Sequence, residues 1–132
     1  MVIPFETTSV SQILWDDEHH IGRVVYDPVD LHDAAEAIEI TEALDRLRQS
    51  RGLENLRILV DMRSIGALTR GAREVYGGPH VERNRAVALV VGSVTSRVVA
   101  NFFLGLNKPK APVRMFTDMS AALTWLGEFR HG

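Results

Sequence analysis

Short apolar runs alternate with longer amphipathic stretches along this chain. The segments "SQILWDD" and "IGRVVYD", with the polar "DEHHIG" between them, predict two strands joined by a hairpin turn. "LRILVDM" (56–62) and "RAVALVVG" (85–92) are almost continuously apolar, which is typical of parallel strands covered on both faces, and "VRMFTD" predicts a fifth strand. We therefore expect the core to contain these residues of the two apolar runs: Val60, Val87, Leu89, Val90 and Val91.

The strongest helical pattern is "DPVDLHDAAEAIEITEALDRLRQSRG". Asp30 is a suitable N-cap, and Gly52 supplies a stop. Glu42 and Arg46 stand four residues apart, so they predict an ion pair on the helix surface. The apolar positions near helical spacing predict the inward face: Leu31, Ala34, Ile38, Leu44 and Leu47.

Three further helices follow from the same rules. Thr69 and Gly77 bracket a short one, and Ser93 caps another over 93–107 that ends before Pro109. In the latter, the spacing predicts an inward stripe: Val94, Val98, Phe102 and Leu106. "MSAALTWLGEF" predicts a last helix, with its inward residues Ala122, Leu126 and Phe129. The order β-β-α-β-α-β-α-β-α predicts a single α/β domain over 1–132, with a mixed, mainly parallel five-stranded sheet and four helices.

These segments resemble the STAS domain and, more closely, the SpoIIAA-like family, which is also compared with CRAL-TRIO lipid-binding domains. The resemblance covers about residues 10–129. It is carried by "ILVDMRSI", by "ALVVGSVTSRVVANFFLGLNKPKAPVRMF" and by the closing "AALTWL". It implies a non-catalytic binding or regulatory module, with a protein partner or, in the lipid-binding comparison, a small anionic or amphiphilic ligand.

STAS antagonists are switched by phosphorylation of a serine in an Asp-Ser-Ser-Gly type of motif. The equivalent stretch here reads "GALTRGAR", with Leu68 in place of the acidic residue and Thr69 in place of the phosphoacceptor. The serine and the acidic residue of the motif are thus both missing. The Thr69 hydroxyl is able to accept a phosphate, but an N-cap role accounts for Thr69 without one, so both readings stay open.

Composition narrows the function classes. The absence of cysteine excludes thiolate catalysis and cysteine-ligated zinc. No serine-hydrolase, zinc-protease, phosphate-loop or dinucleotide motif is present, so we expect no catalytic residue, although an enzyme of unknown class stays a third reading. The basic residues are too few for a nucleic-acid surface, the start "MVIPFETTSV" lacks a signal-peptide pattern, and no apolar run could span a membrane. We expect a cytoplasmic protein without cofactor, and homodimerisation is one arrangement to test.

Charge is unevenly distributed along the chain. Residues up to Met62 carry a net charge of −8, and those from Arg63 onward carry +6. Parallel strands end at one edge of a sheet, where helix N-termini favour anions, so this edge is the candidate anion site. Plain helix capping with solvated arginines is the alternative reading. The candidate ligand-binding residues are Thr69, Arg70, Ser93, Thr95, Ser96 and Arg97.

Two other polar stretches have candidate roles. Lys108, Lys110 and Arg114 surround two prolines and predict either a solvated turn or a contact surface for a partner or a membrane. "WDDEHH" (15–20) contains residue types that bind metals, but consecutive residues point in alternating directions. We therefore interpret it as a solvated hairpin tip and expect no metal site.

Overall fold

The computed structural model describes residues 1–79, 83–106 and 111–130, and it forms an α/β fold. Eight strands and four helices lie within these residues. In chain order they are β1 (Val2–Thr7), β2 (Ser11–Asp16), β3 (Ile21–Tyr26), β4 (Leu31–His32), α1 (Ala34–Ser50), β5 (Leu56–Asp61), β6 (Ala67–Leu68), α2 (Arg70–Tyr76), β7 (Asn84–Val90), α3 (Val94–Leu106), β8 (Val113–Phe116) and α4 (Met119–Gly127).

The main sheet has the strand order β1-β2-β3-β5-β7-β8. The pairs β1–β2 and β2–β3 are antiparallel, whereas the pairs β3–β5, β5–β7 and β7–β8 are parallel. The predicted α/β class, with a mainly parallel sheet and four helices, is thus confirmed, but the sheet has a sixth strand. That strand, β1, lies at the edge beside β2, where Pro4 is tolerated because an edge strand can lack one donor.

Helices cover both faces of the sheet. Buried residues of α1, α2 and α3 pack on one face, and Ala122 and Leu126 of α4 pack on the other. Successive residues of β7 and Val91, which follows it, alternate between the two sides of the sheet. Val87, Leu89 and Val91 pack with the first three helices, and Ala86, Ala88 and Val90 pack with α4. All the residues predicted for the apolar core of β5 and β7 are buried, as expected. Among the described residues, no helix is long and apolar enough to cross a membrane.

The start of α1 differs from the prediction. The N-cap is Asp33 rather than Asp30, and Asp33 forms a capping box with Glu36. The reason is that Leu31 and His32 are extended, since β4 pairs with β6 in a separate two-stranded sheet. Leu31 is consequently exposed rather than inward.

Two details of the α1 surface are also corrected. Ile38 is exposed, because the buried face is formed by Ala37, Ile40, Ala43 and Leu47. Arg46 does not pair with Glu42 but donates two hydrogen bonds of 2.7 Å to the carboxylate of Glu6 on β1. Helix α1 is therefore tied to the edge strand that the sequence pattern did not predict.

The inward stripe predicted for α3 is wrong at two positions. Val94 is 80% exposed and Val98 is 65% exposed, whereas Val99 and Ala100 are buried. Phe102 is half-buried against the core. Helix α3 thus has an apolar face turned to solvent in addition to its buried face.

Candidate functional site

Two serines cap the backbone amides at the start of α3 with their hydroxyl groups. The Ser96 amide donates to the Ser93 side-chain oxygen at 3.0 Å. The Ser96 hydroxyl in turn accepts from the amides of Ser93, at 2.8 Å, and of Gly92, at 3.0 Å. Ser96 is fully buried. Three of the amides at this helix start are therefore bonded to hydroxyl groups, and an anion would have to displace those bonds to reach them.

Arg63 lies beside this helix start, as the strand order predicts. A β-carbon placed on Gly92 would be 3.1 Å from Cγ of Arg63. The Arg63 guanidinium donates to both carboxylate oxygens of Asp61, at 2.9 and 2.7 Å. Burial raises the pKa of Asp61, but the hydrogen bonds from Arg63 outweigh that effect and leave the pKa below its ordinary value. Arg63 is thus neutralised by its neighbour.

Thr69 and Arg70 are engaged at the start of α2. The Thr69 hydroxyl accepts from the amide of Ala72 at 3.2 Å and donates to the carboxylate of Asp33 at 2.6 Å. This hydrogen bond helps to hold the pKa of Asp33 below its usual value. Arg70 pairs with Glu74 across one turn of the helix. The carboxylates of Asp33 and Glu74 therefore already occupy the two α2 residues predicted to bind an anion, Thr69 and Arg70.

Helices α2 and α3 meet across an open, mostly apolar groove, which we call the α3 groove. Its volume is about 250 Å³. Thr95 is the only predicted ligand residue in its lining, and Arg73, rather than Arg70, reaches it from α2. The lining residues are Ala67, Leu68, Arg73, Val94, Thr95, Val98, Val99 and Phe102.

Thr95 also borders a second hollow, of about 290 Å³, formed with residues 28–30 and 64–67. The two loops approach closely at Gly66. A β-carbon there would lie 2.0 Å from the carbonyl oxygen of Val29, so only glycine fits. This close contact fixes the loop that leads into β6 and hence one wall of the α3 groove.

The basic turn is only partly described. Lys108 and Lys110 lie outside the described residues. Arg114 is exposed on β8, with its guanidinium carbon 5.4 Å from the centre of the Phe116 ring. A partner or membrane contact at these residues stays a prediction.

The turn of the "WDDEHH" hairpin is solvated, with Asp17, Glu18 and His20 exposed, but its first acidic residue is not. Asp16 is buried and accepts hydrogen bonds from the His19 amide and from Arg23. Burial raises the pKa of Asp16, but those hydrogen bonds leave it below its usual value. Within residues 1–79, 83–106 and 111–130, no three metal-ligating side chains come together. The stretch stabilises the β2–β3 turn.

A buried polar network was not predicted from the sequence. The His32 ring nitrogen Nε2 lies 2.9 Å from the Tyr76 hydroxyl, which lies 3.0 Å from the Tyr26 hydroxyl. All three residues are buried. Burial lowers the pKa of His32, raises that of Tyr26 to about 12 and raises that of Tyr76 well above its ordinary value. No local pattern signals this network, because its members come from β3, β4 and α2.

The comparisons identify a family and a fold. The model of DUF7793, a domain of unknown function, matches residues 14–130, so the chain belongs to that family. A solved structure of an uncharacterised DUF3478-family protein with a SpoIIAA-like fold, from Shewanella loihica PV-4, is similar with a TM-score of 0.65. It is 15% identical, and the match covers 88% of this chain and 91% of that one. The SpoIIAA-like fold predicted from the resemblance is confirmed.

A solved protein of unknown function from Arthrobacter sp. FB24 is 35% identical over 86% of this chain and 90% of that chain, with a TM-score of 0.30. No curated protein matches the sequence.

Proposed function

We propose that this DUF7793 chain is a non-catalytic protein-binding module, and that the α3 groove docks an amphipathic, acidic segment of a partner protein. The observation that carries the proposal is the exposure of Val94 and Val98 on successive turns of α3. Both valines line a groove whose floor is also apolar. Helix-in-groove binding uses this kind of surface, with apolar anchors spaced by three or four residues.

The energetics favour covering this face. Burying an exposed valine side chain contributes roughly 1.5–3 kcal/mol, before the costs of association are subtracted. Residues 94–106 contain one charged side chain, that of Arg97. The solvent-exposed face of α3 therefore carries little charge, whereas an ordinary surface helix has a polar outer face.

Charge favours an acidic partner. Arg73 lines the groove and Arg97 is exposed on the same helix as the two valines. Neither has a carboxylate within ion-pair distance in the part of the chain that the structure describes, whereas Arg63 and Arg70 are both paired. Carboxylates beside the apolar stripe of a partner would complement these two arginines.

The same charges disfavour a second copy of this chain as the occupant. A two-fold interface presents the same patch on both subunits, so a dimer through α3 would bring the arginines of two copies towards one another. Like charges facing each other oppose association. Homodimerisation through α3 is the competing hypothesis, and sedimentation of the wild type and of Val98→Asp tests it.

The test is a peptide-display selection on the purified protein, using random helical peptides and counter-selection against Val98→Asp. We expect the retained peptides to combine an apolar stripe with Asp or Glu. Their affinity should fall at least tenfold in Val98→Asp and less in Arg97→Gln. A matched control, Thr124→Asp on the exposed face of α4, should bind like the wild type.

Three results would contradict the proposal. Selection could yield no peptide that distinguishes the wild type from Val98→Asp, or the retained peptides could be basic. Sedimentation could also show a wild-type dimer that Val98→Asp dissociates, which would assign the α3 face to self-association. Circular dichroism of Val98→Asp checks that the variant is folded, as we expect for a position already exposed to solvent.

A further inference from the structure

A second site lies at the end of the sheet opposite the α3 groove, where the parallel strands β5 and β7 begin. Four arginines line a hollow of about 560 Å³ there, which we call the arginine pocket: Arg51, Arg57, Arg85 and Arg130. Among the described residues, the only carboxylate in its lining is that of Asp17, which accepts a hydrogen bond from the Trp15 indole. Counting the four arginines and Asp17, the described lining residues carry a formal charge of +3.

Arg57 is the central charge of the arginine pocket. It is 7% exposed and donates hydrogen bonds to three main-chain carbonyl oxygens, those of Leu126, His19 and His20, at 2.8, 2.6 and 3.0 Å. No carboxylate of the described residues lies within ion-pair distance of it. Its hydrogen bonds are satisfied, but its buried charge is not compensated by an opposite charge.

The surrounding arginines add to the uncompensated positive charge of the arginine pocket. Burial lowers the pKa of Arg57, and the positive charges of Arg130 and Arg85 lower it further. Arg85 donates to the carbonyl oxygen of Phe129, and Arg51 lies 4.8 Å above the Trp15 ring. In the described part of the chain none of the four has an acidic partner, whereas six arginines elsewhere do.

Like charges gathered around one hollow repel each other unless an anion lies between them. Guanidinium groups match phosphate oxygens geometrically, since two parallel N–H groups bind two oxygens at once. The volume falls within the range of small-molecule sites, about 300–1,000 Å³, and the lining also includes the apolar side chains of Leu53 and Phe129. The site therefore has the charge for a phosphoryl group and the room for an organic remainder.

We propose that the arginine pocket binds a phosphorylated small molecule, with its phosphoryl group close to Arg57, Arg85 and Arg130 and its less polar part against Leu53 and Phe129. This site is separate from the α3 groove, because it lies where the parallel strands begin rather than where they end. Its ligand and the protein partner can therefore be tested independently.

The experiment uses Trp15 as the reporter, in a Trp125→Phe background that leaves no other tryptophan. Inorganic phosphate, pyrophosphate and a set of nucleoside monophosphates and sugar phosphates are titrated at constant ionic strength, with sodium chloride as reference. We expect a saturable change in Trp15 fluorescence and tighter binding of at least one organic phosphate than of inorganic phosphate.

Variants assign the binding to the arginine pocket. Arg85→Gln and Arg130→Gln should each weaken binding about tenfold or more, while Arg114→Gln, which removes an exposed arginine on β8, should bind like the wild type. Arg130→Gln without ligand should melt no lower than the wild type, because the substitution removes a repelling charge. Arg57 is left intact, since its three carbonyl partners make it a folding residue.

Two results would overturn the proposal. One is that no phosphate compound changes the fluorescence or the melting temperature beyond the effect of chloride. The other is that binding occurs but Arg85→Gln and Arg130→Gln both retain the wild-type affinity.

Discussion

The buried His32 network makes the stability of this protein depend on pH in a defined direction. His32 contacts Tyr26 and Tyr76, and the charge of Glu36 on α1 also acts on it. Burial lowers the pKa of His32 and the charge of Glu36 opposes that shift, with burial as the larger effect. Neither tyrosine ionises near neutral pH, because burial raises both of their pKa values.

The direction and the size of this pH effect on the free energy of unfolding follow from proton linkage. The unfolded chain binds a proton at His32 near pH 6.5, whereas the folded protein binds it only at lower pH. Stability from this group is therefore fully present above pH 6.5 and is lost as the pH falls towards the folded-state pKa. Between pH 7.5 and 5.5 the loss is at most about 1.4 kcal/mol, the limit for one group that stays neutral in the folded state.

The perturbation is His32→Phe, which keeps an aromatic ring beside Tyr26 and leaves the Tyr26–Tyr76 hydrogen bond in place. Urea unfolding at pH 7.5, 6.5 and 5.5 measures the free energy of unfolding of both proteins. Carboxylates contribute equally to the two curves, so their difference isolates His32. We expect the wild type to lose more stability than His32→Phe over this range. Equal losses would refute the claim that His32 is held neutral by burial.

Three further predictions concern the core, a loop and the helix start. Leu126→Ala should lower the free energy of unfolding by about 2–5 kcal/mol, since Leu126 is 1% exposed, and the half-exposed Leu123→Ala should cost clearly less; equal losses in urea titrations would contradict the packing of α4. Gly66→Ala should destabilise the protein because its β-carbon meets the Val29 carbonyl, whereas a β-carbon at Gly105 has no described atom within 4 Å, so Gly105→Ala should stabilise it by roughly 0.5–1 kcal/mol. Thermal denaturation showing the same sign for both variants would be inconsistent with this geometry. If the Ser93 helix start binds an anion, phosphate should stabilise an Arg130→Gln protein by about 2.7 kcal/mol at 100 Kd, relative to chloride, and Arg97→Ala in that background should remove most of the gain; an unchanged gain would leave Ser93 as a helix cap alone.

The sequence pattern was sufficient for five strands of the main sheet and for the covering helices, because their signal is local. The apolar run of β7 predicted a strand covered on both sides, and its alternate residues do contact helices on opposite faces. The edge strand β1 was missed since Pro4 and the polar residues after it weaken the strand pattern. Likewise, the early start predicted for α1 ignored the pairing of β4 with β6, which is a long-range contact.

The candidate sites were less predictable for a related reason. Helical spacing indicates that Val94, Val98 and Phe102 are near one another, but it does not indicate which face turns inward. That choice depends on packing, and α3 buries Val99 and Ala100 instead. The arginine pocket has no local signal at all, because its four arginines are spread over about 80 positions of the sequence and converge only when the sheet forms.

The central claim, that α3 presents a docking surface, is tested most directly by amide chemical-shift mapping. ¹⁵N-labelled protein is titrated with an acidic amphipathic peptide from the selection on the wild type. We predict that the largest shifts fall on residues 94–102 and on Leu68 and Arg73, with little change on α4. Shifts concentrated on α4 or at the arginine pocket, with α3 unaffected, would contradict the account.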